Sequence, residues 1–205
     1  MYIGRLGDGS HPQDGIYVML KEVVDNSVDE FIMGEGRRIE IVREGNAMSV
    51  RDFGRGIPLG KVVECVSQIN TGGKYNDDVF QFSVGLNGVG TKAVNALSSD
   101  FEVTSWRDAK YVRAGFERGR LLGEKKGKAP AEEANGTFIQ FTPAPEIFGE
   151  YTWNEDFIAH RLRYYAYLNS GLSLVYNGKT HRSKNGLADL LGDDCLLYTS
   201  DAAAE

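Results

Sequence analysis

The sequence predicts an α+β protein built as a layered β-sheet. Segments with strand periodicity and segments with helix periodicity are mixed along the chain, without the regular alternation that predicts a parallel α/β fold. The 205 residues are 41% hydrophobic and 25% charged, which is enough apolar material to bury a core. The longest apolar runs are only a few residues, too short to cross a membrane, and no internal repeat is visible.

A helix is predicted over residues 12–33, at the start of the first half of the chain. Pro12 is favourable in the first turn of a helix, and Gly34 is favourable just after its last turn. The apolar stripe of this helix contains Leu20, Val24, Ser27, Val28 and Phe31. The elements predicted next are strands 37–43 and 47–51 across a turn at 44–46, a short helix 59–68 and a helix 91–97. Residues 70–90 carry five glycines and little periodicity, which predicts a long loop of the functional or disordered kind.

The second half is predicted to be richer in strands. The predicted elements are a hairpin of strands 101–107 and 110–117, a strand 137–142, a helix 154–169 and a final strand 172–176. Asp108 and Ala109 form the hairpin turn, and an Asn177-Gly178 turn ends the final strand. Residues 123–135 are polar and are expected to be mobile.

Charge and cysteine usage restrict the class of protein. The formal net charge of -6 argues against this chain alone being a strong DNA clamp. Two cysteines, Cys65 and Cys195, make no disulfide framework, and no secretion signal opens the chain, so a cytoplasmic location is expected. Residues 195–205 continue no earlier pattern and resemble a translated sequencing adapter. We therefore expect one native domain over residues 1–194 and a non-native tail over 195–205.

Glycine is the outlier of the composition, with 25 residues, or about 12% against a usual 7% or so. The glycines cluster in motifs that also carry polar side chains. The first candidate site lies on the long helix, where Glu22 and Asn26 are one turn apart. A carboxylate beside an amide oxygen can hold a water molecule and Mg²⁺. The alternative is an ordinary solvated helix face.

The second motif runs from Asp52 to Pro58, directly after a predicted strand. A carboxylate at a strand end can accept a hydrogen bond from an exocyclic amine such as N6 of adenine. Gly54 and Gly56 would let the backbone approach a flat ring closely. The alternative is a strand-to-helix turn that needs no ligand.

The third motif, Gly85 to Lys92, opens a helix. Its glycines free backbone N–H groups to surround phosphate oxygens, and a helix N-terminus favours negative charge. It is not a Walker A loop, because Thr91 separates Gly90 from the lysine, and it fits the dinucleotide fingerprint only loosely. Upstream, Lys74 adds a cation beside two glycines. The alternative is a flexible glycine-rich loop.

In this order and spacing, together with Gly136-Thr137 entering a later strand, the motifs resemble the GHKL ATPase superfamily, which includes type II topoisomerases, Hsp90, MutL and histidine kinases. The amino-acid sequences of segments 22–30, 52–58 and 72–98 resemble those of the B subunits of bacterial gyrase and topoisomerase IV. The resemblance extends from Met1 to about Leu191. Asn87 stands where gyrase B subunits usually have His, which favours topoisomerase IV.

This resemblance implies the Bergerat (GHKL) fold, a layered mixed β-sheet with helices on one face. It implies that Glu22 is the general base, that Asn26 binds Mg²⁺, and that Asp52 with Thr137 binds adenine. It also implies an ion pair between Arg55 and Glu30. The other implied nucleotide-binding residues are Gly54, Ile57, Lys74, Gly85, Leu86, Asn87, Gly88, Val89, Gly90 and Thr91.

The implied function is ATP binding and hydrolysis, with ATP and Mg²⁺ as ligands. In an intact topoisomerase, ATP binding would dimerise two such domains as a gate for DNA passage, with an A-type subunit as a further partner. An N-terminal arm and a transducer domain are not seen, so weak turnover is expected of this chain alone. Two alternatives stay open. One is another GHKL ATPase or a kinase, although His11, His160 and His181 lie in unsuitable contexts for phosphotransfer. The other is a nucleotide-binding fragment without significant turnover.

Overall fold

The computed structural model describes residues 14–67 and 89–191. The helices are α1 Asp14–Ile32, α2 Val62–Ser67, α3 Gly90–Ala96, α4 Pro145–Phe148 and α5 Glu155–Leu168, with a 3-10 turn at Leu59–Lys61 and helical residues at 187–191. The strands are β1 Arg38–Glu44, β2 Ala47–Asp52, β3 Ser98–Arg107, β4 Lys110–Glu117, β5 Arg120–Lys128, β6 Gly136–Pro143, β7 Ser173–Tyr176 and β8 Lys179–Arg182.

Within the described residues, these strands form one sheet of eight in the order β5-β4-β3-β6-β2-β1-β7-β8. Neighbours pair antiparallel except β1 and β7, which pair parallel, so the sheet is mixed as expected. Tight two-residue turns join several neighbouring strands. In the turn between β3 and β4, Asp108 and Ala109 have φ values of 54° and 58°, the positive pair that a type I′ turn needs to match strand twist.

The core lies on one face of the sheet, where the helices pack. Alternate strand residues such as Ile39, Ile41, Val103 and Phe141 are buried in a single cluster with the apolar side of α1. The predicted stripe of α1 is confirmed, because Leu20, Val24, Ser27 and Val28 are all buried and Phe31 packs against the core. The opposite strand positions are more exposed, as at Val42. The predicted α+β class, with a layered mixed sheet and helices on one face, is therefore confirmed.

Three details of the predicted elements are wrong. Residues 123–135 were expected to be mobile, but β5 occupies the first part of this span, through Lys128, and pairs with β4. All nine β5 residues are exposed, so the strand carries no alternating apolar signal. The strand ending near Tyr176 is not the last, because the Asn177-Gly178 turn leads into β8. The four-residue helix α4 was not predicted.

Other expectations fall on parts of the chain that the structure does not describe. Most of the predicted loop 70–90 and the predicted tail 195–205 lie outside the described residues. In the described ranges, no helix combines the length and apolar character needed to cross a membrane.

Candidate functional site

Asp52 is the most unusual ionisable residue near the predicted site. It ends β2 with only 6% of its surface exposed. Its Oδ1 accepts hydrogen bonds from the backbone N–H groups of Gly54 at 3.0 Å and Thr137 at 3.1 Å. Burial raises the pKa of Asp52 to about 6, although these two bonds and the charge of Arg51 oppose the shift. The structure thus brings Asp52 and Thr137 together, close to the β2–β6 pair.

The second Asp52 oxygen is bound much less tightly. Its neighbour is the hydroxyl of Ser27, on α1, at 3.5 Å. The prediction from sequence assigned Ser27 to the apolar stripe of α1 and missed this contact, because the helical period shows burial and does not show which strand end lies opposite. Oδ2 therefore keeps acceptor capacity on the α1 side of the carboxylate.

The segment after Asp52 is held close to the sheet. Ser105 on β3 donates a 2.7 Å hydrogen bond to the carbonyl of Ile57, and Ile57 packs against the core. A Cβ on Gly54 would lie 2.6 Å from Oε2 of Glu30, so glycine fits there without displacing that side chain. Gly136 has φ of +138°, and a Cβ there would overlap the carbonyl of Asp52. The glycines of this region therefore serve close backbone packing around Asp52.

The predicted pairing of Arg55 with Glu30 is present. Nη2 of Arg55 lies 2.8 Å from Oε1 of Glu30, and Nε lies 3.2 Å from Oε2. The backbone N–H of Arg55 also donates to Oε2, at 2.9 Å. Burial opposes ionisation of Glu30, but the bonds from Arg55 together outweigh it and lower the pKa of Glu30. This bidentate ion pair joins the end of α1 to the loop that follows Asp52.

Arg51 supports the same loop from the other face of the sheet, and sequence reasoning missed it. Its guanidinium lies 4.7 Å from the ring centre of Phe53 and 4.3 Å from that of Trp106. It donates to the carbonyls of Asp52 and Ala134 and pairs with Glu133 at 2.9 Å. No local pattern indicates this role, because the partners come from three separate segments of the chain.

Helices α1 and α3 bring the predicted base Glu22 and the predicted metal ligand Asn26 against the end of the phosphate motif. Nδ2 of Asn26 donates to Oγ1 of Thr91 and to the carbonyl of Glu22, both at 2.8 Å. The amide oxygen of Asn26 takes part in neither bond and stays available as a ligand. A Cβ on Gly90 would overlap the carboxylate of Glu22, so the two residues touch. Glu22, Asn26, Gly90 and Thr91 therefore form one cluster.

Helix α1 is also tied to α5. The hydroxyl of Tyr165 donates to the carboxylate of Asp25, and Asp25 pairs with Lys21 on its other oxygen. Burial and the neighbouring negative charge of Asp25 raise the pKa of Tyr165. This contact was not predicted. It fixes the helix turn that carries Glu22 and Asn26.

Not every predicted site residue can be placed. Val89, Gly90 and Thr91 lie at the start of α3, whereas Lys74, Gly85, Leu86, Asn87 and Gly88 lie outside the described residues. Buried apolar side chains belong to the same core as the Asp52 strand end, namely Val23, Val50 and Ile139. Across residues 14–67 and 89–191, no group of three or more His, Cys, Asp or Glu side chains could hold a metal ion. The donor set at Asn26 would therefore supply only part of a metal's coordination shell.

Comparisons with known proteins agree with this geometry. Residues 11–147 match the model of the histidine kinase-, DNA gyrase B- and HSP90-like ATPase family. The chain is 58% identical over 202 residues to the B subunit of DNA topoisomerase 4 from Borreliella burgdorferi, covering 97% of this chain and 33% of that protein. It is 36% identical over 200 residues to the B subunit of DNA gyrase from Thermus thermophilus, covering 92% and 31%. The chain thus spans about a third of the length of these relatives.

A solved structure gives the same result for the fold. The 43K ATPase domain of Thermus thermophilus gyrase B, solved in complex with an aminocoumarin, superposes with a TM-score of 0.74 and 30% sequence identity. The superposition covers 87% of this chain and 49% of that one. These matches confirm the resemblance predicted from the motifs. The chain belongs to the family of histidine kinase-, DNA gyrase B- and HSP90-like ATPases.

Proposed function

We propose that this chain binds and hydrolyses ATP as the ATPase domain of a bacterial type II DNA topoisomerase, within a B subunit of the topoisomerase IV kind. The family membership supports ATP as the ligand, and the 58% identity supports the topoisomerase IV assignment. The observation that carries the proposal is the buried carboxylate of Asp52. One of its oxygens accepts from two backbone amides, and the other has only a long contact with the Ser27 hydroxyl, at 3.5 Å, which leaves it able to accept from a ligand.

The geometry around Asp52 favours adenine over guanine. The weakly bonded Oδ2 would accept a hydrogen bond from the exocyclic amino group of adenine. Guanine presents a carbonyl oxygen at the same position, and two acceptors facing each other in a buried site leave both unpaired. Val23, Val50 and Ile139 would form apolar contacts with the ring, with Gly54 and Ile57 at its edge.

Glu22 is proposed as the general base for hydrolysis. Its carboxylate lies against Gly90, at the start of the helix that follows the glycine-rich segment. A carboxylate there would accept the proton of the attacking water and orient that water. The phosphates would be held by the backbone of Gly85 to Thr91, with Lys74 as an added cation. For residues 68–88 this assignment rests on the sequence alone.

The residues near Asn26 fit a magnesium ion. The amide oxygen of Asn26 is a hard oxygen ligand, and it is left free by the two hydrogen bonds of this side chain, since Nδ2 makes both. When bound, Mg²⁺ would be held by the amide oxygen of Asn26 and would offset the negative charge that develops during hydrolysis. Mg²⁺ usually keeps several waters and takes only one or two protein ligands beside nucleotide phosphates. The absence of a larger carboxylate cluster in the described ranges suits that mode.

In a full-length enzyme of this kind, we propose that ATP binding dimerises two such domains as a gate for DNA passage. The gate would close through contacts made only in the ATP-bound state. An A-type subunit and DNA would be the further partners. This function places the protein in the cytoplasm, in keeping with the free thiol of Cys65.

Calorimetric titration of the full chain with ATP and with GTP, each with and without Mg²⁺, tests the proposal. We expect ATP to bind and GTP to bind at least tenfold more weakly, because a buried acceptor facing an acceptor costs about 1–3 kcal/mol. Asp52→Asn should weaken ATP binding by a similar factor. The matched control is Asp100→Asn, the same change at an exposed position. Equal binding of ATP and GTP, or equal effects of the two substitutions, would contradict the proposal.

A further inference from the structure

The hairpin of β4 and β5 has a charge opposite to that of the rest of the chain. Residues 110–128 contain seven basic and two acidic side chains, a local charge of +5 in a chain whose net charge is -6. Strand β5 is an edge of the sheet, and every one of its residues is exposed. The surface formed by this hairpin, here called the basic ribbon, is therefore open to solvent along the whole of β5.

Like charges face one another directly across the basic ribbon. Lys110 lies opposite Lys128 on one face of the ribbon, and Arg113 lies opposite Lys125 on the other face. Such pairs repel and destabilise a sheet. Acidic side chains relieve only part of this repulsion, since Arg113 pairs with Glu102, and Lys126 pairs with Glu124 at 3.1 Å. Among the described ion pairs none includes Lys110, Lys125 or Lys128.

Glycines in the basic ribbon would also let a ligand come close to its backbone. Gly115 lies opposite Gly123 in the ladder, and neither would meet another atom within 4 Å if it carried a Cβ. The ribbon near Arg113 and Lys125 is therefore smooth and uncrowded. On the other face of the ribbon, Lys110 and Lys126 border a cavity of about 210 Å³ that Leu59 and Gly60 also line. Glycine within a strand, without a packing reason, often marks where a ligand comes close to the backbone.

We propose that the basic ribbon binds the phosphate backbone of duplex DNA. The unpaired lysines flank the open edge of the ribbon, with Lys110 and Lys128 on one face and Lys125 on the other. Duplex DNA lying against this edge, with its exposed backbone N–H groups, would place phosphates beside both faces, as in the backbone contacts that proteins make to DNA. A polyanion would remove the repulsion between Lys110 and Lys128. The inference rests on the proposed function, in which DNA passes between two such domains, and it identifies the surface that would touch the DNA. The acidic remainder of the chain would limit affinity and make contact local and reversible.

Fluorescence anisotropy of a labelled DNA duplex, titrated with the full chain at increasing salt, tests this inference. The test variant is Lys110→Gln with Lys125→Gln and Lys128→Gln. The matched control removes three charges at the opposite end of the sheet, on and beside β8, with Lys179→Gln, Arg182→Gln and Lys184→Gln, all exposed. We expect the test variant to bind about tenfold more weakly and its salt slope to fall by about one unit per lysine. The control should bind as the unchanged chain does.

The outcomes are distinguishable. No binding of the unchanged chain at low salt, or equal losses in both variants, would overturn the inference. So would competition by polyglutamate as strong as competition by unlabelled duplex, since that result indicates an acidic protein partner. ATP binding is measured on the same variants and should not change. If the unchanged chain fails to bind ATP while the ribbon variant alone loses DNA binding, the proposed function fails and the DNA surface stands.

Discussion

At the scale of single residues, Asp52 combines two opposing influences. Burial disfavours its ionised form and brings its pKa to about 6, whereas two backbone N–H groups and Arg51 favour that form less strongly. The carboxylate is therefore half protonated at about pH 6 and mostly ionised at pH 7. An adenine amino group would favour the ionised form, because only a deprotonated Oδ2 is purely an acceptor.

A pH dependence of ATP affinity follows from this. We expect binding to be constant above about pH 6 and to weaken as the pH falls below that value, since Asp52 is protonated there in the free protein. Each pH unit below the pKa should cost up to about tenfold in affinity. Calorimetric titration with ATP in buffers of different pH measures this dependence. The Asp52→Asn variant has no carboxyl proton to exchange, so it should bind ATP weakly at every pH. If its ATP affinity still falls on acidification, a group other than Asp52 causes the pH dependence.

At the scale of elements, the site depends on how closely α1 and α3 approach. Asn26 joins the two helices through Thr91, and Gly90 leaves room for the Glu22 carboxylate. Tyr165 then holds α1 from the α5 side. The geometry of the proposed general base is therefore set by helix packing, and a single methyl group between the helices should disturb it.

Gly90→Ala tests this packing. The new Cβ would displace the end of a flexible glutamate side chain, which costs little stability. We expect a nearly unchanged melting temperature with ATP turnover lowered by about tenfold or more. The control is Gly60→Ala, where a Cβ would meet no atom within 4 Å. Unchanged turnover in Gly90→Ala would remove Glu22 from the proposed role.

At the scale of the whole molecule, two buried groups make opposite contributions to stability as pH changes. The pKa of Asp52 is raised, so the folded state holds its proton more tightly than the unfolded state. Stability from this group declines as the pH rises from about 4 to 6, by on the order of 3 kcal/mol. Burial lowers the pKa of His181 on β8 from 6.5, so the unfolded state binds its proton first. Stability from His181 is lost as the pH falls below that value.

Urea unfolding at a series of pH values tests the two contributions. Removal of Asp52 by Asp52→Asn should make the protein lose more stability on acidification, since the group that gains stability at low pH is gone. His181→Gln should make acidification less damaging below about pH 6.5. If neither substitution changes the pH profile, other groups dominate it and the assignment to these two residues is wrong.

The sequence predicted those elements whose formation depends on residues close together in the chain. The apolar period of α1 and the Asp108-Ala109 turn of the β3–β4 hairpin were both predicted, because helix periodicity and turn chemistry involve neighbours in sequence. Strand β5 was not predicted, because all of its residues are exposed and none forms a buried apolar face. Its position is set by backbone pairing with β4. Arg51 was also missed, because Phe53, Trp106 and Glu133 meet it only after folding.

The sequence by itself determined the family and the residue types of the candidate site, because three spaced motifs carry the carboxylates, amide and glycines that the chemistry needs. It also predicted the ion pair of Arg55 with Glu30 that the structure contains. Only the tertiary structure decided which oxygen of Asp52 is weakly bonded, that Asn26 turns its nitrogen towards Thr91, and that unpaired lysines lie on the edge hairpin of β4 and β5. The physical reason is that hydrogen-bond geometry, burial and cross-strand register depend on residues far apart in the chain, which no local pattern records.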